Sequence, residues 1–222
     1  MKAVFCDFDG TISESDLIVS IARAFAPAAA AAVLPAVAAG ALTVRAAVDA
    51  MIGAVPAAAF GRVRAFALAA VKIRPGFPEF VSLCADRGWP LFVVSGGFDF
   101  FVEPALAPYA GRLECFTNRV GERDGRLRVV WPHPCDELCA NRGGCGLCKP
   151  ALLRRLAPPG ALRVLVGDGV TDLPAARAAD FIFARDRLLA ECRRLGLAHA
   201  PFDTFCDIVS RLKDCERGGA SS

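Results

Sequence analysis

VFCDFDG, residues 4–10, ends an apolar run in two carboxylates, Asp7 and Asp9, with only Phe8 between them. Asp followed by Gly is a common turn pair, and a solvated turn accounts for the stretch taken alone. Its neighbours in the chain decide otherwise. KAVFC (2–6), LFVVS (91–95) and LRVLV (162–166) are short apolar runs rich in Val and Phe, each leading into Gly or Asp. Unbroken apolarity marks strands covered on both faces, and helical stretches lie between the runs, so they predict a parallel α/β sheet. ADFIFA (179–184) and LECFTN (113–118) predict further strands, with helices over 173–178 and 187–195.

The interval between the first two strands is too long for one crossover. Residues 15–72 are Ala-rich and helical in period, with breaks near Pro35, Gly40 and Pro56, which predicts a helical cap inserted into a Rossmann-like core. A Cys-rich second insertion spans about 120–149, and Asp124-Gly125 between RVGER and RLRVV predicts that it begins as a hairpin. The expected organisation is a catalytic core over 1–14 and 73–215, the cap over 15–72, and a disordered tail over 216–222.

The chain has 222 residues, 55% of them apolar, and a net charge of +3 from 26 basic and 23 acidic residues. It can bury a core, and its dispersed charges leave no basic stripe for nucleic acid or an anionic membrane. A small neutral or anionic partner fits better, bound by a monomer or homodimer. The apolar run after Lys2 is broken by Asp7, too soon for a secretory signal, which predicts a cytoplasmic chain. The uncharged stretch from Ala24 to Leu42 touches the length of a membrane span, about 20 residues. Alanine is barely apolar, however, and Pro27, Pro35 and Gly40 punctuate the stretch, so two short packed helices are expected.

Ten cysteines in such a chain are expected to be thiols or metal ligands rather than disulfides. Cys6, Cys84, Cys115, Cys192, Cys206 and Cys215 share no spacing. Cys135, Cys139, Cys145 and Cys148 cluster, and with a closing CxxC pair they can bind Zn²⁺ tetrahedrally. The spacing departs from two separated CxxC pairs, and reduced loop thiols or redox-labile pairs are the alternative. Cys148 abuts Lys149, so whatever fixes this loop also places that ammonium.

Open parallel sheets bind ligands beyond the carboxyl ends of their strands. Here those ends carry CDFDGT, SGG (95–97) and GDGVTD (167–172), and Lys149 precedes the helix leading to the last of these strands. Carboxylates at i and i+2 of an extended chain project to one side, and Asp168 arrives from another strand. The acidic set Asp7, Asp9, Asp168 and Asp172 suits Mg²⁺, which takes one or two carboxylates plus waters and phosphate oxygens. Ser95 and Lys149 add a hydroxyl and a positive charge for the other oxygens of a phosphate, the parts that phosphoryl transfer needs.

DFDGT, VVSGG, Lys149 and GDGVTD resemble, in order, the four motifs of the haloacid dehalogenase superfamily of phosphatases. The resemblance implies that Asp7 is the nucleophile and forms an aspartyl-phosphate, and that Asp9 is the general acid and later activates water. It implies that Ser95, Gly96 and Lys149 hold the phosphoryl group, with Thr11 and Gly96 orienting their loops. It assigns Mg²⁺ to Asp7, Asp9 through its backbone carbonyl, and Asp168, with Asp172 a ligand or a neighbour of one. Hydrolysis of a carbon–halogen bond by the same nucleophile fits less well, because halide departure needs no proton from Asp9.

IRPGFPEFV (73–81), SGGFDFFV (95–102), WPHPC with CANRGGCGLCKP (131–150) and FARDRLLAEC (183–192) are similar to the methionine-salvage branch of that superfamily. This implies 2-hydroxy-3-keto-5-methylthiopentenyl-1-phosphate as the substrate. Phosphoserine, phosphoethanolamine and phosphocholine phosphatases share the core and cap type and stand as alternatives, as does a non-catalytic phosphate-binding module. Glu14 and Asp16 follow the nucleophile loop, either to meet a substrate's polar tail or as acids at a helix N-terminus. Phe98, Phe100 and Phe101 either line an apolar pocket or pack in the core, the commoner role of such aromatics. Arg45 and Met51 carry weaker signals.

Overall fold

Alternate residues of the first strand leave for opposite faces of a sheet. In β1 (Lys2–Cys6), Val4 and Cys6 enter one apolar core and Ala3 and Phe5 another, the two-residue period of a strand covered on both sides. The computed structural model describes residues 1–218. It adds β2 (Leu91–Phe98), β3 (Glu114–Arg123), β4 (Arg126–Val130), β5 (Leu162–Gly167), β6 (Phe181–Ala184) and β7 (His199–Pro201), in the sheet order β4-β3-β2-β1-β5-β6-β7. β1 pairs in parallel with β2 and β5. β4 runs antiparallel to β3, and the Asp124-Gly125 turn between them has positive φ at both residues, 53° and 71°, the geometry a tight hairpin demands. The expected α/β architecture is therefore present.

The helices are α1 (Leu17–Phe25), α2 (Pro27–Ala38), α3 (Val44–Gly53), α4 (Phe60–Ala70), α5 (Phe77–Asp86), α6 (Asp99–Leu106), α7 (Lys149–Leu156), α8 (Leu173–Ala176), α9 (Asp186–Leu195) and α10 (Phe205–Gly218). Phe77 and Phe80 of α5, Phe101 of α6 and Phe205 of α10 pack on the first face, and Leu152, Leu153, Ala175 and Leu188 on the second. The tail expected over 216–222 falls on the end of α10 and on 219–222, which lie outside the described residues, as does the side chain of Cys215. Among the described residues no helix is long and apolar enough to cross a membrane.

Helices α1 to α4 all lie between Ser13 and Ile73, which face each other in an antiparallel bridge, and the Glu14 N–H donates to the Lys72 carbonyl at 2.9 Å. The chain thus leaves and re-enters the sheet layer through one narrow neck. Asp16 caps α1 by accepting from the Val19 N–H at 2.9 Å, and Thr43 caps α3 by accepting from the Ala46 N–H at 3.2 Å. Pro35 does not break the helix, contrary to the sequence expectation. It falls in the last turn of α2, where the one hydrogen bond it forfeits belongs to Ala31, a residue exposed to solvent.

The β3–β4 hairpin and the loop after it grip α3. Leu127 N–H donates to the Val55 carbonyl at 3.0 Å, Ala57 N–H to that of Gly125 at 2.9 Å, and Arg45 N–H to that of Gly144 at 3.1 Å. Trp131 Nε1 donates to Asp49 Oδ1 at 3.2 Å, and the Arg45 guanidinium lies 5.4 Å from the Trp131 ring centre. These contacts tie the helices between β1 and β2 to the hairpin and to the loop that follows it.

Candidate active site

β1 delivers Asp7 to the carboxyl edge of the sheet, where a tight turn over Phe8–Ile12 begins, with non-helical backbone at Asp9 and Gly10. Asp7 Oδ1 accepts from the Phe8 N–H at 2.8 Å and meets Lys149 Nζ at 2.9 Å. Its Oδ2 is left without a protein donor among the described residues. Gly10 is required by both its φ of +79° and its surroundings, since a Cβ there would collide with the Asp168 carboxylate. Thr11 Oγ1 donates to Asp168 Oδ1 at 2.7 Å, which ties the turn after β1 to the loop after β5.

That second loop is closed by Asp172. Its Oδ2 accepts from the N–H groups of Asp168 and Gly169 at 3.1 and 3.0 Å, and its Oδ1 receives Lys149 Nζ at 2.5 Å. Both oxygens are thus engaged by the protein. Lys149, the first residue of α7, is buried between Asp7 and Asp172. Burial alone would lower its pKa, but the charges of Asp172 and Asp7 outweigh that and hold it above the ordinary value.

Parallel pairing of β2 with β3 is interrupted between Val94 and Phe98, so the SGG segment bulges at the strand end. Ser95 is fully buried and its Oγ accepts from the Gly97 N–H at 2.9 Å, which leaves the hydroxyl hydrogen available to another acceptor. A Cβ on Gly97 would stand 2.7 Å from Asp9 Oδ2, so Gly97 makes room for that carboxylate. Asp9 Oδ1 accepts from the N–H of Leu17, the first residue of α1, at 2.9 Å.

Asp7, Asp168 and Asp172 each offer a carboxylate oxygen, all within 4.8 Å of one another. Three carboxylates against the single ammonium of Lys149 leave two negative charges uncompensated. Burial, reinforced by the charge of Asp172, pushes Asp7 up to about 8 and Asp168 up to about 6. An all-oxygen set with that deficit fits a hard divalent cation. Asp9 is also raised, by burial and by the charge of Asp16; its carboxylate is not part of the three-oxygen set.

These groups open on a cavity of about 480 Å³. Asp7, Asp9, Gly96, Lys149 and Asp168 stand at the sheet end, while Val44, Val48 and Met51 of α3 and Ile18 of α1 form an apolar roof. Asp16 lines the cavity, but Glu14 and Phe98 do not. Glu14 is exposed at the neck, and Phe98 is fully buried, stacked on Phe100 at 5.8 Å between ring centres, because its alternate position on β2 faces the first core. Sequence reasoning missed Arg74, a buried guanidinium that donates from Nη2 and Nε to the carbonyls of Gly10 and Thr11, both at 2.8 Å. It also missed Asn118, which donates to the Gly96 carbonyl at 2.8 Å and keeps a buried Oδ1 without a partner on the cavity wall. A polar residue ending the apolar run LECFTN was the available signal. The loop sulfurs of Cys135, Cys139, Cys145 and Cys148 converge as a separate cluster.

A buried carboxylate at the first strand end, a buried lysine beside it and a second acidic loop, together facing one cavity, are the arrangement of a phosphate-handling hydrolase. Residues 4–177 match the family described as haloacid dehalogenase-like hydrolase, and the chain belongs to that family. It is 44% identical over 213 residues to a 2-hydroxy-3-keto-5-methylthiopentenyl-1-phosphate phosphatase of Geobacillus thermodenitrificans (strain NG80-2), covering 96% of each chain. The phosphatase of the same description from Geobacillus kaustophilus (strain HTA426) is 43% identical over the same share of both chains. In fold it is similar to a phosphoserine phosphatase from T. onnurineus, with a TM-score of 0.71 at 18% identity over 96% of this chain and 94% of that one.

Proposed function

We propose that the protein is an Mg²⁺-dependent phosphatase that hydrolyses 2-hydroxy-3-keto-5-methylthiopentenyl-1-phosphate through a phosphoryl group carried on Asp7. One observation carries this reading: the acidic set with Lys149 closes one end of a cavity whose far side, Val44, Val48 and Met51, is apolar. A small phosphate ester with a methylthio tail matches both ends, and its full-length relatives bear the name of that activity.

Asp7 and Asp168, with the backbone carbonyl of Asp9, are assigned to hold the ion, and Asp172, both of whose oxygens the protein already uses, orients them. When bound, the ion offsets the charge of the phosphoryl oxygens and polarises them. Lys149 supplies the second positive charge, and the hydroxyl hydrogen of Ser95 and the backbone at Gly96 take the remaining oxygens. Asp7 Oδ2 attacks phosphorus while the bond from phosphorus to the substrate oxygen breaks. Asp9, kept protonated by burial, gives its proton to that departing oxygen. The resulting Asp9 carboxylate takes a proton from a water whose oxygen attacks phosphorus, the bond to Asp7 breaks, and inorganic phosphate leaves. Because Asp9 is anchored by the N–H of Leu17, the helical insertion, read as a cap, aims the acid as well as roofing the substrate.

The test is phosphate release from a panel of monoesters in the presence of Mg²⁺: the methylthiopentenyl ester, phosphoserine, phosphoethanolamine and phosphocholine. The methylthio compound should have the highest kcat/KM. Preference for phosphoserine would reassign the substrate, and no turnover of any ester would leave the non-catalytic reading standing.

A further inference from the structure

We propose that Cys135, Cys139, Cys145 and Cys148 bind one Zn²⁺, a structural ion that pins the start of α7 and the start of α3 to the same loop. The proposal is independent of the substrate and of the phosphatase reading.

All four sulfurs lie within 4.8 Å of one another. The Cys139 and Cys145 sulfurs are 3.6 Å apart, well beyond the ~2.05 Å of a covalent bridge. A tetrahedron with Zn–S bonds of about 2.3 Å has edges of about 3.8 Å, so the spacing is that of four ligands around one centre. A soft thiolate set selects zinc over the hard cation suited to the aspartates.

Hydrogen-bond donors converge on three of the sulfurs. Asn141 Nδ2 donates to Cys145 Sγ at 3.2 Å, the N–H groups of Gly143 and Cys145 are directed at Cys135, and that of Ala151 at Cys148. Donors aimed at thiolates in this way hold and orient metal ligands. Arg142 and Gly143 both have positive φ, 41° and 94°, so the backbone accepts a strained turn between Cys139 and Cys145 that brings those sulfurs together.

Residues 131–148, between β4 and α7, contain neither helix nor strand, and structureless segments longer than about 12–15 residues are uncommon inside a folded domain. What the loop fastens is specific. Cys148 is the N-cap residue of α7, immediately before Lys149, and its N–H donates to the His133 carbonyl at 3.0 Å. Gly144, next to Cys145, accepts from the N–H of Arg45 in the first turn of α3. Asp136 receives both Arg154 Nε and Nη2 of α7, at 3.0 and 2.6 Å. A cation at the four sulfurs would therefore join the lysine-bearing helix to the roof of the cavity.

The experiment uses the full chain, made without a metal-affinity tag. Elemental analysis should find about one zinc per chain, nearly all of it lost in Cys139→Ser/Cys145→Ser and retained in Asp168→Asn. The wild-type chain exchanged into Co²⁺ should show the intense visible bands of a tetrahedral tetrathiolate, a readout that stands even if the serine variant fails to fold. Hydrogen exchange after zinc is stripped by a mercurial should accelerate at Arg45 and Cys148 while β1 stays protected. A natively purified chain without zinc that takes up cobalt with no such bands overturns the site. Zinc that follows Asp168 rather than the cysteines does the same, and unchanged exchange at Arg45 and Cys148 overturns the role in joining the two helices.

Discussion

Lys149 Nζ stands 2.9 Å from Asp7 Oδ1, both side chains nearly sealed from solvent. Removing one partner of a buried ion pair leaves an uncompensated charge, typically at a cost of about 3–5 kcal/mol. Above about pH 8, where Asp7 as well as Asp172 is ionised, Lys149→Met should therefore lower the stability of the metal-free chain by about that much. Urea unfolding with and without Mg²⁺ checks it, and Mg²⁺ should recover part of the loss. A metal-free variant as stable as wild type would mean that the pair is not buried in solution.

Asp7→Asn should abolish phosphate release, because an amide cannot carry the phosphoryl group. A variant with near-native turnover would reject Asp7 as the nucleophile.

Asp9→Asn should reduce turnover by about 10²–10⁴-fold on an alkyl phosphate, the usual contribution of a positioned acid. The penalty should shrink on p-nitrophenyl phosphate, whose leaving group departs without a proton. An equal penalty on both esters would count against the acid role. For wild type, the raised pKa of Asp9 keeps the acid loaded above the ordinary carboxylate range, so the loss of protonated acid should appear on the alkaline side of the rate profile.

Burial lifts Asp7 to about 8 and Asp168 to about 6, whereas unfolded aspartates titrate near ~3.9. The folded, metal-free chain thus holds protons that the unfolded chain has released. Their stabilising contribution is complete below the unfolded pKa and is lost as pH rises through the two folded values. Mg²⁺ competes with the same protons, so the Tm increase it produces should grow between about pH 5 and about pH 8. Calorimetry at several pH values tests this; a Mg²⁺ effect that is flat or larger in acid contradicts the assignment.

Met51 on the cavity roof is 3% exposed. Met51→Ala should weaken kcat/KM for the methylthio substrate by roughly 10–200-fold, the range for lost apolar contact, with little change on phosphoethanolamine. A uniform loss across both substrates would mean that Met51 supports the fold rather than the selectivity.

The motif positions were legible because they depend on local patterning. Apolar runs ending in Asp or Gly located the strands and their functional ends, and Asp124-Gly125 announced the hairpin, since side-chain alternation and turn preferences act over a few residues. Pro35 misled because its effect depends on which turn of the helix it enters and on whether the orphaned carbonyl reaches water. Only long-range packing decided that Asp172 spends both oxygens on Lys149 and the 168–169 backbone, that Arg74 holds the turn after β1, and that Phe98 belongs to the core. The same packing laid α3 and the cysteine loop over the cavity. A sequence period tells a residue which face of its own strand or helix it takes, but the partner waiting on that face is set by segments distant in the chain.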